Sequence, residues 1–244
     1  MTKYVLSIVL ALLMALTGRG QEDTSTRISI ELGESDDSFV SLAYHLGDKQ
    51  YIKDTIRLAS DGTAVYINKE GLEQGLYMVV FPDNNIFELI MPGDQEFTIQ
   101  CDKSDIINSL NFEGSQINNA FIEYRRRWMT FQQDVAGYRQ MLSNMSNPDS
   151  ATVIRNTLDQ KEEEMLSYIK SAAEEYEGTL LSSLLYSMLP VQVPEFDIPE
   201  NVQNKDSLRW IKSYLYNKDH FFDNIDLSDP RLIRTPVLHN KLKT

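Results

Sequence analysis

Between Arg27 and Phe112 apolar residues recur at every second position, first as Ile28, Ile30 and Leu32, then as Val40, Leu42 and Tyr44. A period of two puts successive side chains on opposite faces of an extended chain, so these runs predict strands with one buried face. Further runs rich in β-branched and aromatic residues follow at 52–58, 64–67, 76–81, 86–91 and 97–101. Turn-forming groups separate them: Leu46-Gly47-Asp48, Ser60-Asp61-Gly62, Glu73-Gln74-Gly75, Pro82-Asp83-Asn84-Asn85 and Pro92-Gly93-Asp94. Short strands joined by tight turns predict an antiparallel β-sandwich or small barrel. The runs 76–81 and 86–91 are nearly continuously apolar around a polar turn. They predict a central hairpin covered on both faces.

At Gly114-Ser115 the period changes. Ser115 is a helix-capping residue, and Ile117, Phe121, Tyr124, Trp128, Phe131, Val135, Tyr138, Met141 and Leu142 then recur at spacings of three and four, along one helical stripe. Asn147-Pro148 restarts the chain with a cap and a first-turn proline, ahead of Val153, Leu158, Met165, Ile169, Ala172 and Ala173. A short link between two long helices predicts antiparallel packing. Gly178 ends the second helix and Thr179 caps a third, Leu180 to Leu189. Pro190, Pro194 and Pro199 then hold the chain extended. A shorter helix, Ser207 to Tyr216, carries Leu208, Trp210, Ile211, Tyr214 and Leu215. Thr235-Pro236 opens a last helix whose stripe, Val237, Leu238 and Leu242, stops after about two turns, the pattern of a truncated chain. The fold class is α+β: an N-terminal antiparallel β-sandwich, residues 21–114, followed by an all-helical module, residues 115–244.

Residues 1–20 have the layout of a cleavable secretory leader: Lys3, an apolar stretch from Tyr4 to Leu16, and Gly18-Arg19-Gly20 at the cut. Such a stretch spans only about 20 Å, short of a ~30 Å hydrocarbon core, so the expectation is an exported chain of the periplasm or cell envelope and not a membrane span. The 23 Lys and Arg against 36 Asp and Glu give a net charge of −13, which becomes more negative once Lys3 and Arg19 leave with the leader. An acidic surface repels phosphate, so no nucleic-acid partner is expected.

The 244 residues contain one cysteine, Cys101, which excludes an internal disulfide, a Cys-x-x-Cys pair and a cysteine zinc cage. It ends the alternating run after Phe97 and Ile99 and reads as a small buried hydrophobe. His220 with Asp219, Asp223 and Asp226 gathers possible metal ligands, but at a spacing that matches no ligand pattern, and aspartates beside short helices act as caps. Arg125-Arg126-Arg127 beside Trp128, and Glu162-Glu163-Glu164, read as solvated helix faces. His45 and His239 have no Ser or Cys in a nucleophile motif beside them, and Gly71 and Gly75 bracket a strand turn instead of opening a helix. No catalytic, cofactor-binding or metal residue is assigned, and no cofactor is expected.

Three stretches of the sheet region, Tyr44 to Thr55, Gly75 to Tyr77 and Phe87 to Ile90, together with Phe112-Glu113-Gly114-Ser115-Gln116-Ile117-Asn118, resemble a β domain of unknown function. That domain precedes thioredoxin-like modules in exported proteins of gut-type Gram-negative bacteria. The run from Tyr216 through His220-Phe221-Phe222-Asp223 and Asp229-Pro230-Arg231 to Leu238 is similar to the helical module that follows it in the same family. The resemblance implies a continuation into a C-terminal thioredoxin-like domain, of the TlpA or peroxiredoxin type, whose Cys-x-x-Cys pair exchanges disulfides. This chain has no such pair, so no catalytic residue carries over. The expectation is a non-catalytic accessory region that positions the redox domain or its clients; the alternative is a stand-alone envelope binding or scaffolding protein for a peptide or glycan.

Overall fold

The computed structural model describes residues 25–33 and 36–243; the leader expected at 1–20 lies outside them. Eight strands form two four-stranded sheets. They are β1 (Thr26–Glu31), β2 (Phe39–Leu46), β3 (Lys49–Arg57), β4 (Thr63–Asn68), β5 (Gly75–Val80), β6 (Ile86–Met91), β7 (Glu96–Gln100) and β8 (Asn111–Glu113). One sheet runs β4-β1-β7-β8 and the other β3-β2-β5-β6. All pairings are antiparallel except β1 with β7, which run parallel with Ile28 beside Phe97 and Ile30 beside Ile99. A single helical turn, α1 (Ile106–Ser109), precedes β8. The helical part comprises α2 (Gln116–Ser143), α3 (Pro148–Glu175), α4 (Leu180–Met188), α5 (Lys205–Asp219) and α6 (Pro236–Lys243), with a 3-10 turn at Pro230–Arg234 before α6.

Period-two alternation divides the side chains of β5 and β6 between two cores. Tyr77, Val79, Phe87, Leu89 and Met91 point between the sheets, where they meet Ile28, Ile30, Phe97 and Phe112. Leu76 and Ile90 point the other way, into a second core with Phe121 and Tyr124 of α2, Met165 and Ile169 of α3, and Leu181 and Leu185 of α4. The hairpin is therefore covered on both faces, as its unbroken apolar runs predict, although β6 is an edge strand. Asn84, at φ +66°, turns the chain between β5 and β6.

Two adjacent asparagines join the helices to the sheets. The Asn118 carboxamide, fully buried, accepts the Ile90 amide at 2.7 Å and donates to the Ile90 carbonyl at 2.9 Å. Asn119 does the same for Phe112, accepting from its amide at 2.9 Å and donating to its carbonyl at 2.7 Å. Ile90 lies on β6 and Phe112 on β8, the edge strands at one side of the two sheets. Each carboxamide thus supplies the donor and acceptor that a missing neighbour strand would have offered. Ser115 holds the N-cap position but makes no side-chain bond to the helix backbone; its hydroxyl oxygen accepts from Asn118 Nδ2 at 3.0 Å instead.

The helix boundaries follow their capping signals. Asn147 accepts from the amides of Asp149 and Ser150, Thr179 from that of Ser182, and Gly178 ends its helix at φ +81°. Two predicted core positions are corrected: Met141 is 55% exposed and Val153 63%. Helices of 28 residues reach about 42 Å, twice the roughly 20 Å of a six-residue strand, and the turns that carry Met141 and Val153 lie outside both cores.

Asn118→Ala strips partners from a buried amide and a buried carbonyl and is expected to cost about 2–4 kcal/mol, with Asn119→Ala less because it is less deeply buried. Urea unfolding followed by circular dichroism measures both; a loss below about 0.5 kcal/mol for Asn118→Ala, the size of an ordinary surface change, would refute the role given to it.

Candidate functional site

Cys101, just past β7, is buried, and its sulfur lies 4.0 Å from the Ser109 hydroxyl. Burial pushes the thiol up from 9.0 to about 11, the Ser109 contact pulling weakly the other way. A thiol in this state is neither nucleophile nor metal ligand at neutral pH.

The His220 cluster disperses into local contacts. His220 Nδ1 lies 2.6 Å from Asp223, and its ring stacks on Tyr216 with centroids 4.0 Å apart. Asp226 caps the turn at Ser228, accepting from its amide and hydroxyl. Among the described residues no three His, Cys, Asp or Glu side chains are grouped to hold a metal ion, and no described helix is long and apolar enough to cross a membrane. Glu162, Glu163 and Glu164 are exposed, as predicted.

Arg125, Arg126 and Arg127 are only in part the solvated face that the sequence predicts: Arg127 is exposed, whereas Arg125 and Arg126 are half-buried. Arg126 donates to the carbonyls of Ile107, Asn108 and Leu110, fastening the end of α1 to α2. Arg127 pairs with Glu123 at 2.7 Å and sits 4.5 Å over the Tyr168 ring of α3. Arg125 forms an ion pair with Glu88 on the outer face of β6. The other Glu88 oxygen lies 3.2 Å from His45 Nε2 on β2, and that imidazole is buried, with no hydrogen-bond partner for Nδ1 among the described residues. Burial raises the Glu88 carboxyl, but the His45 hydrogen bond and the Arg125 charge overcome it and hold the group below its ordinary value. The spacing of three basic residues on one helix could not reveal this, because the partners come from elsewhere in the chain. A signal did exist: Glu88 is the one charge in an otherwise apolar run, and such a charge must be paired.

The segment 230–243 straps the outer face of the β2–β5 sheet. The Gly47 amide donates to the Ile233 carbonyl at 2.8 Å, and Arg234 pairs with Glu73. Gly75 has no alternative here, because a Cβ on it would lie 2.5 Å from the Arg234 Cβ. On the other side Arg231 grips the buried Asp229 carboxylate with two bonds of 2.8 Å, and Ser183 of α4 donates to the same carboxylate at 3.0 Å. His239 Nε2 lies 3.2 Å from the Asp48 carboxylate without hydrogen-bond geometry, which places α6 beside the β2–β3 turn.

Under the strap opens a cleft of about 840 Å3, lined by Glu70, Glu73 and Asp94 from the sheet turns and by Arg231 and Arg234 from the strap. Gln95 fixes its floor: its Oε1 accepts from the Leu72 amide and from the Thr26 hydroxyl, and its Nε2 donates to the carbonyls of Leu72 and Pro92. The lining holds no Ser, Cys, His or Tyr, and both guanidinium groups are engaged by carboxylates. This arrangement, three carboxylates facing two guanidinium groups, suits recognition of a polar group. No family model, curated protein or solved structure matches the chain.

Two predictions follow from these environments. Iodoacetamide is expected to alkylate Cys101 about 100-fold more slowly in the folded chain than in urea, from thiolate fraction alone, as read by mass spectrometry over time; equal rates would contradict the burial. A carboxyl held low stabilises the fold above its unfolded value near 4.5, and that stabilisation is lost as pH falls through the folded value. Glu88→Gln is therefore expected to cost about 1–3 kcal/mol near pH 7 and progressively less towards pH 3, compared by urea titration.

Proposed function

We propose that this chain is the non-catalytic accessory region of a periplasmic thioredoxin-like thiol-disulfide oxidoreductase, exported by a cleavable leader, which positions the redox domain or its clients. The observation that carries the reading is the condition of the single thiol. Cys101 is buried, displaced towards the neutral form and without a second cysteine, so any dithiol cycle would have to come from a partner domain. The resemblance of 44–55 and 216–238 to the two modules that precede such a domain supports a thioredoxin-like partner. The junction gives support of a mechanical kind: the asparagine clamps, the Arg125–Glu88–His45 network and the strap tie helices to sheet at separate places, as a spacer with a set geometry requires.

The cleft under the strap favours a second reading, a stand-alone envelope protein that binds a peptide or glycan through amide and charged groups.

The coding sequence after Thr244 separates the two. A thioredoxin-like domain with a Cys-x-x-Cys pair is expected there, and an immediate stop codon would end the accessory reading. The purified chain is expected to reduce insulin in dithiothreitol no faster than the reductant alone; turnover above that background would end it as well.

A further inference from the structure

Helix α5 is built inside out. None of its residues is buried, and its largest apolar side chains are open to solvent, Trp210 at 67%, Tyr214 at 55%, Leu215 at 49% and Ile211 at 45%. The opposite side faces the chain: Tyr216 meets the edge of Phe196, and Lys212 donates to the Asp197 carbonyl at 3.1 Å. At about 100° per residue, Trp210, Tyr214, Ile211, Leu215 and Leu208 make one continuous outward arc. Where that arc meets α6 lies a groove of about 600 Å3 walled by Tyr214, Phe221, Phe222 and Leu242. Its charged lining residues are Lys218 and Lys241, and neither makes an ion pair with a described residue. Lys241 rests its ammonium 4.4 Å over the Phe221 ring.

Charge says what covers this face. From Lys205 to Lys243 the chain carries eight Lys or Arg against five Asp or Glu, whereas the whole chain carries 23 against 36. A basic, aromatic limb on an acidic body selects for an anionic partner. A bilayer fits poorly, because Lys218 falls in the middle of the apolar arc, where insertion would drive its ammonium deepest. A second copy fits poorly as well, since self-association through this face would set one pair of lysines, Lys218 and Lys241, against another of the same sign. A groove with apolar walls and two unpaired ammonium groups matches a helix that offers an apolar anchor flanked by carboxylates.

We propose that the face formed by α5 and α6 is a docking site for an acidic amphipathic segment of a partner protein, with an aromatic or branched anchor between Tyr214 and Phe222 and carboxylates on Lys218 and Lys241. The proposal concerns a surface that neither the single thiol nor the cleft touches.

Fluorescence anisotropy tests it on the whole chain with two labelled peptides of about four helical turns, one with Leu and Phe at third-and-fourth spacing and Glu between, the other with Lys in place of Glu. The acidic peptide is expected to bind at least about 10-fold more tightly, and to lose that advantage in K218E/K241E and in raised salt while keeping it in K218R/K241R. Tyr214→Ala is expected to weaken both peptides. Equal binding of the two peptides, or no effect of charge reversal, overturns the proposal. So does a concentration-dependent dimer in sedimentation velocity that Trp210→Ala abolishes, which would assign the face to a second copy. A blue shift of tryptophan emission on phosphatidylglycerol vesicles, lost in Trp210→Ala and without peptide binding, would assign it to lipid and overturn the proposal too.

Discussion

A strand edge that faces protein instead of water has a row of amides and carbonyls to satisfy, and each one left unpaired costs about 1–3 kcal/mol. Here two edges meet the same helix. The problem is solved by neighbouring residues, Asn118 serving β6 and Asn119 serving β8. A carboxamide carries a donor and an acceptor with the spacing of a peptide group, so it pairs with one backbone residue as a strand would. Consecutive positions on a helix diverge by about 100°, which lets one turn address both sheets at once. Everything that follows inherits its placement from that turn. The Arg125 ion pair falls on Glu88 two residues along β6 from Ile90, and Arg126 reaches the end of α1. The apolar face of α2 settles over Leu76 and Ile90.

What could be read from the sequence was whatever depends on neighbours along the chain. Alternation at Ile28, Ile30 and Leu32 or at Val40 and Leu42 reports directly on a pleated backbone, and these residues lie in the inter-sheet core. Gly178, Thr179, Asn147 and Pro148 act within a turn of where they stand, so the helix boundaries were legible too. What escaped depends on residues far apart. The three-residue strand β8 has too few positions to show a period, and it exists because β7 and Asn119 hold it. Parallel pairing of β1 with β7 joins segments separated by most of the sheet region, and no local pattern encodes it. Met141 and Val153 carry a helical period that is real, but the helices outlast the surface that would bury them.

The charged residues sort by the same distinction. Runs such as Glu162-Glu163-Glu164 behave as composition suggests, exposed to water. Arg125, Arg126 and Arg127 look equivalent in sequence and do three separate things, because rotation about the helix presents each to a different surface. The candidate site was hidden for that reason. Cys101 could be read as an inert core residue from its place in an alternating run. The cleft could not be read at all, since its acids come from the sheet turns and its arginines from the strap far along the chain.

The position of β1 governs the order in which the molecule can be assembled. It is the earliest strand among the described residues, yet it lies inside its sheet, between β4 and β7, so neither of its hydrogen-bonding sides can be matched until later residues arrive. Closing such long loops before any reward comes makes folding slow. The asparagines that seal the far edges are made later still, after β8. During synthesis the growing chain therefore carries β1 with one side open until β7 has been made, a period in which a chaperone has an adhesive, unfolded substrate to hold.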